Sequence, residues 1–423
     1  MKNLCLCFQM HTPTYLKRYR FFEIGQDHYY YDDMQTEEHL TWLVNTSFMP
    51  LCRTLLEMIR LSKGRFHCAL SVSGTQLELF EQYTPEMIDV LKELCDTKCV
   101  ELVASTYSYS LAAHYSKSEF ADQLVKHAQK TSNLFGQQSS TLWNPELLYS
   151  DEIAAEAMKL GYKTIMTEGA KHILSWKSPN YVYQSCLSVK QRVLVRNISL
   201  SDNLSFHFSD PASSFFPMDA EKFAHQIAAF PDEENIVNIW VGAETFGVWQ
   251  PVGTGIFDFL KAFPYYAIEQ NIGFVTPSEA AKKIAPVDVI SSPYPLTWTG
   301  DGKDLSVLNG NDLQQEALLK LYAVAERVHL CQDKSIKNDW LLIQDINYLH
   351  YMNHVDRGGS TFESAYDAFI NYMNILADFL QRVDEQYPTA IENEELNSLL
   401  QTITNQEKEI AELNRKIKAL KKK

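Results

Sequence analysis

The 423-residue sequence predicts an α/β fold: a (β/α)7-type barrel over residues 1–286, a helical C-terminal domain over 287–388 and a short coiled-coil tail over 389–423. Three observations carry that expectation. Short β-favouring runs alternate with amphipathic segments in about seven units before residue 286, the rhythm of a parallel sheet with right-handed crossovers. Pro286, Pro293 and Pro295 then punctuate the chain, and beyond them apolar residues recur only at helical spacing. Finally, Leu396, Leu399, Ile403, Gln406, Ile410, Leu413, Ile417 and Leu420 fall on a strict a/d heptad, with Ile repeatedly at a and Leu at d.

In chain order, Leu4 to Gln9 reads as a buried strand that ends at His11-Thr12-Pro13, a turn with a titratable group at its exit. Tyr29-Tyr30-Tyr31-Asp32-Asp33 is too aromatic and acidic for an ordinary loop, and either lines a sugar groove or covers a barrel end. Thr41 to Ser62 is helical, and Phe66 to Val72 is the next strand, delivering Ser73 to Glu78 to the same rim. Pro85 to Leu94 and Ser118 to Leu134 are helices that flank a strand at Val100 to Ala104.

Ser140 to Trp143 is a strand that Pro145 terminates. From Asp151 the apolar residues Ile153, Ala154, Ala157 and Leu160 take helical spacing, with Ser150 or Asp151 as N-cap and Gly161 as stop. Glu146 therefore sits on a strand-to-helix loop, where parallel-sheet folds build their chemistry. The plainer reading of a lone Glu146 is a solvated loop carboxylate. Further strands are expected at Lys163 to Met166, Val193 to Ile198, Leu204 to Phe208 and Ile272 to Val275. Asn235 to Val241 is another, and it exits into Gly242-Ala243-Glu244-Thr245-Phe246-Gly247-Val248-Trp249. Period-2 alternation puts position 242 and Glu244 on one face. Asn311 or Asp312 caps a helix through Val328, and Phe362 to Val383 carries the apolar stripe of another.

Composition bounds the function. A formal net charge of -15 argues against nucleic acid or an anionic membrane as partner over most of the surface, since only the tail is basic. The 7 Trp and 22 Tyr suit stacking on flat polyhydroxylated faces, and equally suit a well-filled core. The 8 cysteines form no CxxC pair and have no His partners at zinc spacing, so no metal or other cofactor is expected and a reduced, cytoplasmic chain explains them. Neither a signal peptide nor a bilayer-length apolar run stands out. The heptad predicts self-association or a partner helix through residues 396–420. A parallel pair would face Lys416 with Lys421, whereas an antiparallel pair sets Glu407 against Lys421 and Glu409 against Lys416.

Taken together, His11-Thr12-Pro13, Gly74 with Glu78, Trp143-Asn144-Pro145-Glu146 and Ala243-Glu244-Thr245-Phe246-Gly247 resemble the ordered motifs of glycoside hydrolase family 57, α-amylase-type members most closely. The resemblance runs over most of residues 1–388. It implies a (β/α)7 barrel with a helical C-terminal domain, a retaining activity on α-1,4-glucans and Glu146 as nucleophile. The family's acid/base Asp stands two residues before the Glu of Glu-Thr-Phe-Gly, and here that position is Gly242. Asn347 and Tyr348 likewise replace an Asp and a His in a segment similar to Gln-Thr-Ser-Asp-His-Phe-Tyr-Tyr-Met. Ser105 and Tyr109 stand where related sequences resemble Glu and His. His11, Glu78, Trp143, Trp249, Asn347 and Tyr348 are the residues expected to bind substrate.

Retaining chemistry needs two carboxyl groups, one to attack and one to protonate the leaving oxygen. With Gly242 at the second position, the first expectation is a protein that binds an α-glucan or maltooligosaccharide and hydrolyses it poorly, general acid catalysis being worth ~10²–10⁴ in rate. An alternative makes Glu244 the substitute acid, one methylene longer and on the same strand face. A third reading gives the tail the main role, as an assembly device. A metal-dependent deacetylase on a related barrel is set aside, because His11, His28 and His114 lack the ligand spacing.

Overall fold

The structure is a computed structural model that describes residues 2–355, 360–386, 399, 401–406, 408–410 and 413. Two compact units emerge: residues 1–15, 32–310 and 345–347 form the first, and 16–31, 311–344 and 348 onwards the second. The division differs from the expected boundary at residue 286. Residues 287–310 pack with the strands, because Asp288–Ile290 pairs in register with Val182–Ser185 and Leu296 bridges Tyr149.

The first unit is built on ten strands: β1 (Lys2–Met10), β2 (Cys68–Val72), β3 (Val100–Val103), β4 (Thr141–Leu142), β5 (Thr164–Thr167), β6 (Val182–Ser185), β7 (Ser188–Val195), β8 (Ile236–Gly242), β9 (Ile272–Phe274) and β10 (Asp288–Ile290). The ladder β8-β1-β2-β3 is all parallel, and so is β4-β5-β7. Ala104 joins the two ladders by bridging Leu142, its amide on Thr141 and its carbonyl under Trp143. Seven parallel strands thus curl into a barrel with helices outside. Between β7 and β8 the seam is held by asparagines instead of a ladder. The Asn238 side chain donates to the Val195 carbonyl at 2.8 Å, the Asn197 amide to the Asn238 carbonyl at 2.8 Å, and Asn197 to Asn180 at 2.9 Å.

Alternation along β1 explains why both faces are buried. Leu4, Leu6, Phe8 and Met10 point out beneath the helices, with Leu51, Leu55, Leu91 and Phe263 in the same core. Cys5 and Cys7 point inward with Ala69, Val103 and Met166, and Trp143 and Trp240 fill the space these small side chains leave.

Three expectations change. Leu204 to Phe208 does not form a strand: Ile198–Phe206 is a helix capped by Asn197, whose side chain accepts from the Leu200 amide, with Leu200 and Leu204 buried one turn apart. The β6–β7 hairpin, antiparallel within an otherwise parallel sheet, was not anticipated. The helix expected over 41–62 begins at Asp33 and passes through a π-helical turn at Val44–Phe48.

The second unit is helical. Asp312–Tyr322, Lys334–Ile343 and Ala365–Gln386 pack around Trp340, Tyr372, Ile375 and Phe379. Tyr30 and Tyr31 lie in this core and line no groove. Tyr30 donates to Asp378 at 2.6 Å, Tyr31 to Asp339 at 2.9 Å, and Arg382 to Asp339 at 2.7 Å, so every buried charge there has a partner. Of the heptad residues, Leu396, Ile417 and Leu420 lie outside the described residues, as do Glu407, Lys416 and Lys421. Leu399, Ile403, Ile410 and Leu413 are exposed. No helix among the described residues is long and apolar enough to cross a membrane.

Candidate active site

The C-terminal ends of the parallel strands gather the polar side chains, as the strand-loop-helix order requires. β1 delivers His11, β2 Ser73, β4 Glu146 and β8 Glu244. His11 is held at both ring nitrogens, Nδ1 at 2.8 Å from Ser73 Oγ and Nε2 at 2.8 Å from Asp345 Oδ2. Its ring stacks on Tyr109 with centroids 4.0 Å apart. The Tyr109 hydroxyl donates to Glu146 Oε1 at 2.9 Å, and the Trp298 indole N–H donates to Glu146 Oε2 at 2.6 Å. One continuous chain of contacts therefore runs from Ser73 through His11 and Tyr109 to Glu146.

Glu146 is 7% exposed and adopts φ 56°, ψ 19°, with Leu147 also left-handed at φ 53°. Such backbone costs an L-residue of order 1–3 kcal/mol and persists only when its surroundings fix it. Here they do. Asn144 Nδ2 donates to the Leu148 carbonyl at 2.9 Å, the Leu148 amide to Pro145 at 3.0 Å, and the Trp298 amide to the Glu146 carbonyl at 2.9 Å.

Glu244 is built differently. It opens a short turn after β8, its carbonyl accepting from the Val248 and Trp249 amides at 3.2 and 2.9 Å. Gly247 must be glycine, since at φ 106° a Cβ there would stand 2.0 Å from the Thr46 carbonyl. No side-chain donor among the described residues bonds the Glu244 carboxyl, which lies partly buried. Burial, with the Glu146 charge adding to it, pushes its pKa up to about 7. The carboxyl also fills a particular space: a Cβ on Gly242 would stand 2.7 Å from Glu244 Oε2 and 3.3 Å from the Trp249 ring.

The remaining expected residues are distributed unevenly. Trp249 is 45% exposed beside Glu244 and tilted against Phe206, a face open to a ligand. Trp143 is fully buried, edge-on to Trp298, and supports the site from beneath without offering a face to a sugar. Glu78 accepts from Tyr107, whose ring so closely covers Gly74 that a Cβ there would meet it at 2.2 Å. Asn347 gives both its amide and its side chain to Asp345 Oδ1, each at 2.8 Å, so it orients that carboxylate. Tyr348 is buried in the helical unit against Tyr351 and Tyr372 and is not open to a ligand there. Asp345 and Trp298 carry contacts that the sequence did not point to. Among the described residues no group of three or more His, Cys, Asp or Glu side chains is placed to hold a metal ion.

Residues 5–293 match the family described as Glycosyl hydrolase family 57. The chain belongs to that family. A Methanocaldococcus jannaschii protein named "Putative alpha-amylase" is 30% identical over 402 residues, covering 89% of this chain and 84% of that one. The Pyrococcus horikoshii branching enzyme of glycosyl hydrolase family 57 type superposes with a TM-score of 0.66 at 14% identity, over 96% of this chain and 95% of its own. The Thermococcus litoralis 4-alpha-glucanotransferase gives the same TM-score and identity over 89% of this chain. The chain spans 60% of the length of that enzyme. These structural likenesses establish the barrel and helical domain as the family's architecture.

Proposed function

We propose that this protein acts on α-1,4-glucans by a retaining double displacement, with Glu146 as the attacking carboxylate and Glu244 as acid and base. The observation that carries the proposal is the placement and titration of Glu244. Its carboxyl occupies the space that a side chain at Gly242 would enter, and with a pKa near 7 it can hold a proton at neutral pH. Glu146 has each carboxyl oxygen held by one neutral donor, Tyr109 on Oε1 and Trp298 on Oε2. Two carboxyls in contrasting surroundings are how one site runs both roles.

In the first step a Glu146 oxygen bonds to the anomeric carbon, the glycosidic C–O bond breaks, and Glu244 gives its proton to the departing oxygen. In the second, a hydroxyl oxygen of water or of another glucan attacks that carbon, its proton passes to Glu244, and the bond to Glu146 breaks. Trp249 offers the aromatic face for the sugar. The relatives' names include both an amylase and a glucanotransferase, and the same two steps serve either outcome.

The competing reading is a glucan binder without useful turnover. It is favoured by the deep burial of Glu146. Incubation with maltoheptaose, with reducing ends and chain-length redistribution both followed, separates the two. Turnover carried by Glu244 falls as pH rises through about 7, where the acid loses its proton. A rate that rises across that range, or tight glucan binding with neither product, rules the enzymatic reading out. Self-association is a separate proposal, supported by the exposed Leu399, Ile403, Ile410 and Leu413. A chain cut after residue 386 should lose oligomeric mass, and an unchanged mass dismisses the tail as the contact.

A further inference from the structure

The strand-free segment 291–304 lies beyond the last parallel strand and reads as a connector, yet it contributes the shortest of the contacts to Glu146. It is pinned to the loop after β4 along its length. The Asp151 amide donates to the Ser292 carbonyl at 2.9 Å, and Leu296 and Tyr149 exchange both backbone hydrogen bonds at 2.9 Å. Trp298 follows, giving its amide to the Glu146 carbonyl at 2.9 Å and its indole N–H to Oε2 at 2.6 Å. One residue thus fixes both the backbone and the carboxylate of Glu146.

Trp298, itself half-buried, is held by several neighbours. Its ring meets Trp143 edge-on at 5.3 Å, and the Arg196 guanidinium lies 5.5 Å from its centroid. Lys303 Nζ caps its carbonyl at 2.9 Å. Arg196 in turn has no freedom: it donates to the Trp240 carbonyl at 2.8 Å, to the buried Glu168 at 2.9 Å and to Asp202 at 2.6 Å. An interior ion pair is a costly way to hold an indole, since a well-packed apolar group would fill the same volume. The arrangement is accounted for if the orientation of the indole N–H matters.

We propose that Trp298 is a positioning residue for Glu146, held at a fixed angle by Arg196 so that Oε2 is anchored and the carboxylate plane is set for attack. The inference rests on the retaining reading above. It extends that reading to a residue outside the strand-end motifs, on a segment that the chain reaches only after β10.

The test has two arms on the full chain. In the first, the seven Trp indoles are observed by ¹⁵N-resolved NMR, and the Trp298 signal is identified by its loss in Trp298→Phe. An N–H bonded to a carboxylate resonates downfield and exchanges slowly, and the signal should move upfield in Glu146→Gln. In the second arm, Trp298→Phe keeps the ring and loses the donor. With maltoheptaose as substrate, kcat should fall about 10–100-fold, the worth of one hydrogen bond to a charged group, while KM shifts little. A merely structural role would lower thermal stability without separating kcat from KM. If the native protein turns over glucan but the indole signal ignores Glu146→Gln, or Trp298→Phe retains its kcat, the positioning role is overturned alone. If the native protein turns over nothing, the retaining reading fails and the positioning role falls with it.

Discussion

Glu146 and Glu244 sit at the ends of β4 and β8, two strands of one barrel, and each strand ends in a tight turn, but the turns treat their carboxyls in opposite ways. The turn after β4 twists its backbone into the left-handed region and gives each Glu146 oxygen a donor. The turn after β8 is relaxed at Glu244, spends its hydrogen bonds on main-chain atoms and leaves the carboxyl without a side-chain partner. The first arrangement fixes the direction of the carboxyl oxygens. The second favours a carboxyl that carries a proton when its surroundings are dry. Strain and side-chain hydrogen bonds are concentrated at Glu146, and Glu244 has neither, the division that the proposed roles of attacking group and proton donor call for.

The largest expected effect comes from removing the proposed attacking atom. Glu146→Gln should lower maltoheptaose turnover by more than about 10⁴-fold with binding retained, and a variant of near-native rate would erase the distinction between the two carboxyls. Glu244→Gln should cost about 10²–10⁴ on the same substrate. The loss should nearly vanish with maltosyl fluoride, whose fluoride leaves without a proton, so an equal loss on both substrates would remove Glu244 from the acid role. Gly242→Asp comes next. The new side chain meets Glu244 Oε2 at 2.7 Å and must push it aside, so activity should stay within about threefold as one acid displaces another. A gain above about tenfold would mean that Glu244 never served.

The smallest effect is on stability. With a folded pKa near 7, above the ordinary carboxylate value, the folded chain binds more protons than the unfolded one between about pH 4.5 and 7, so ionising Glu244 destabilises the fold as pH rises through that window. Denaturant titration should find Glu244→Gln more stable than the parent by about 1–3 kcal/mol at pH 8 and indistinguishable at pH 4. A difference at pH 4 as large as at pH 8 would show that Glu244 is not a dry carboxyl.

The barrel was legible because its strands are short, β-rich and separated by amphipathic helices, and the strand-end loops gave up His11, Glu146 and Glu244 directly. What escaped did so for definite reasons. Leu204 to Phe208 looks β-favouring by composition, but Asn197 caps a helix three residues before Leu200, and a capping hydrogen bond outweighs propensity over so short a run. Asp345 lies 334 residues from the His11 it bonds, and no local pattern announces such a pair. Asn347 and Tyr109, read as losses of ionisable groups, turn out to be employed: one orients Asp345 and the other donates to Glu146. Trp298 escaped because the three prolines ahead of it resemble a linker, whereas Ser292, Leu296 and Trp298 fasten the segment to the loop after β4.

The asparagine seam has a consequence for how the molecule comes apart. β8 is zipped to β1 over seven register pairs, from Asn3 opposite Ile236 to Gln9 opposite Gly242, while its other edge has no ladder and relies on isolated hydrogen bonds, among them Asn238 to Val195, the Asn197 amide to Asn238 and Arg196 to Trp240. Transient breathing of the barrel should therefore begin as a slit between β7 and β8, exposing the Asn197 amide to exchange long before the β1 amides. Arg196, which packs on Trp298, bonds the Trp240 carbonyl of β8 across that same gap, so a slit there would loosen the supports of Glu244 and of Glu146 together on warming.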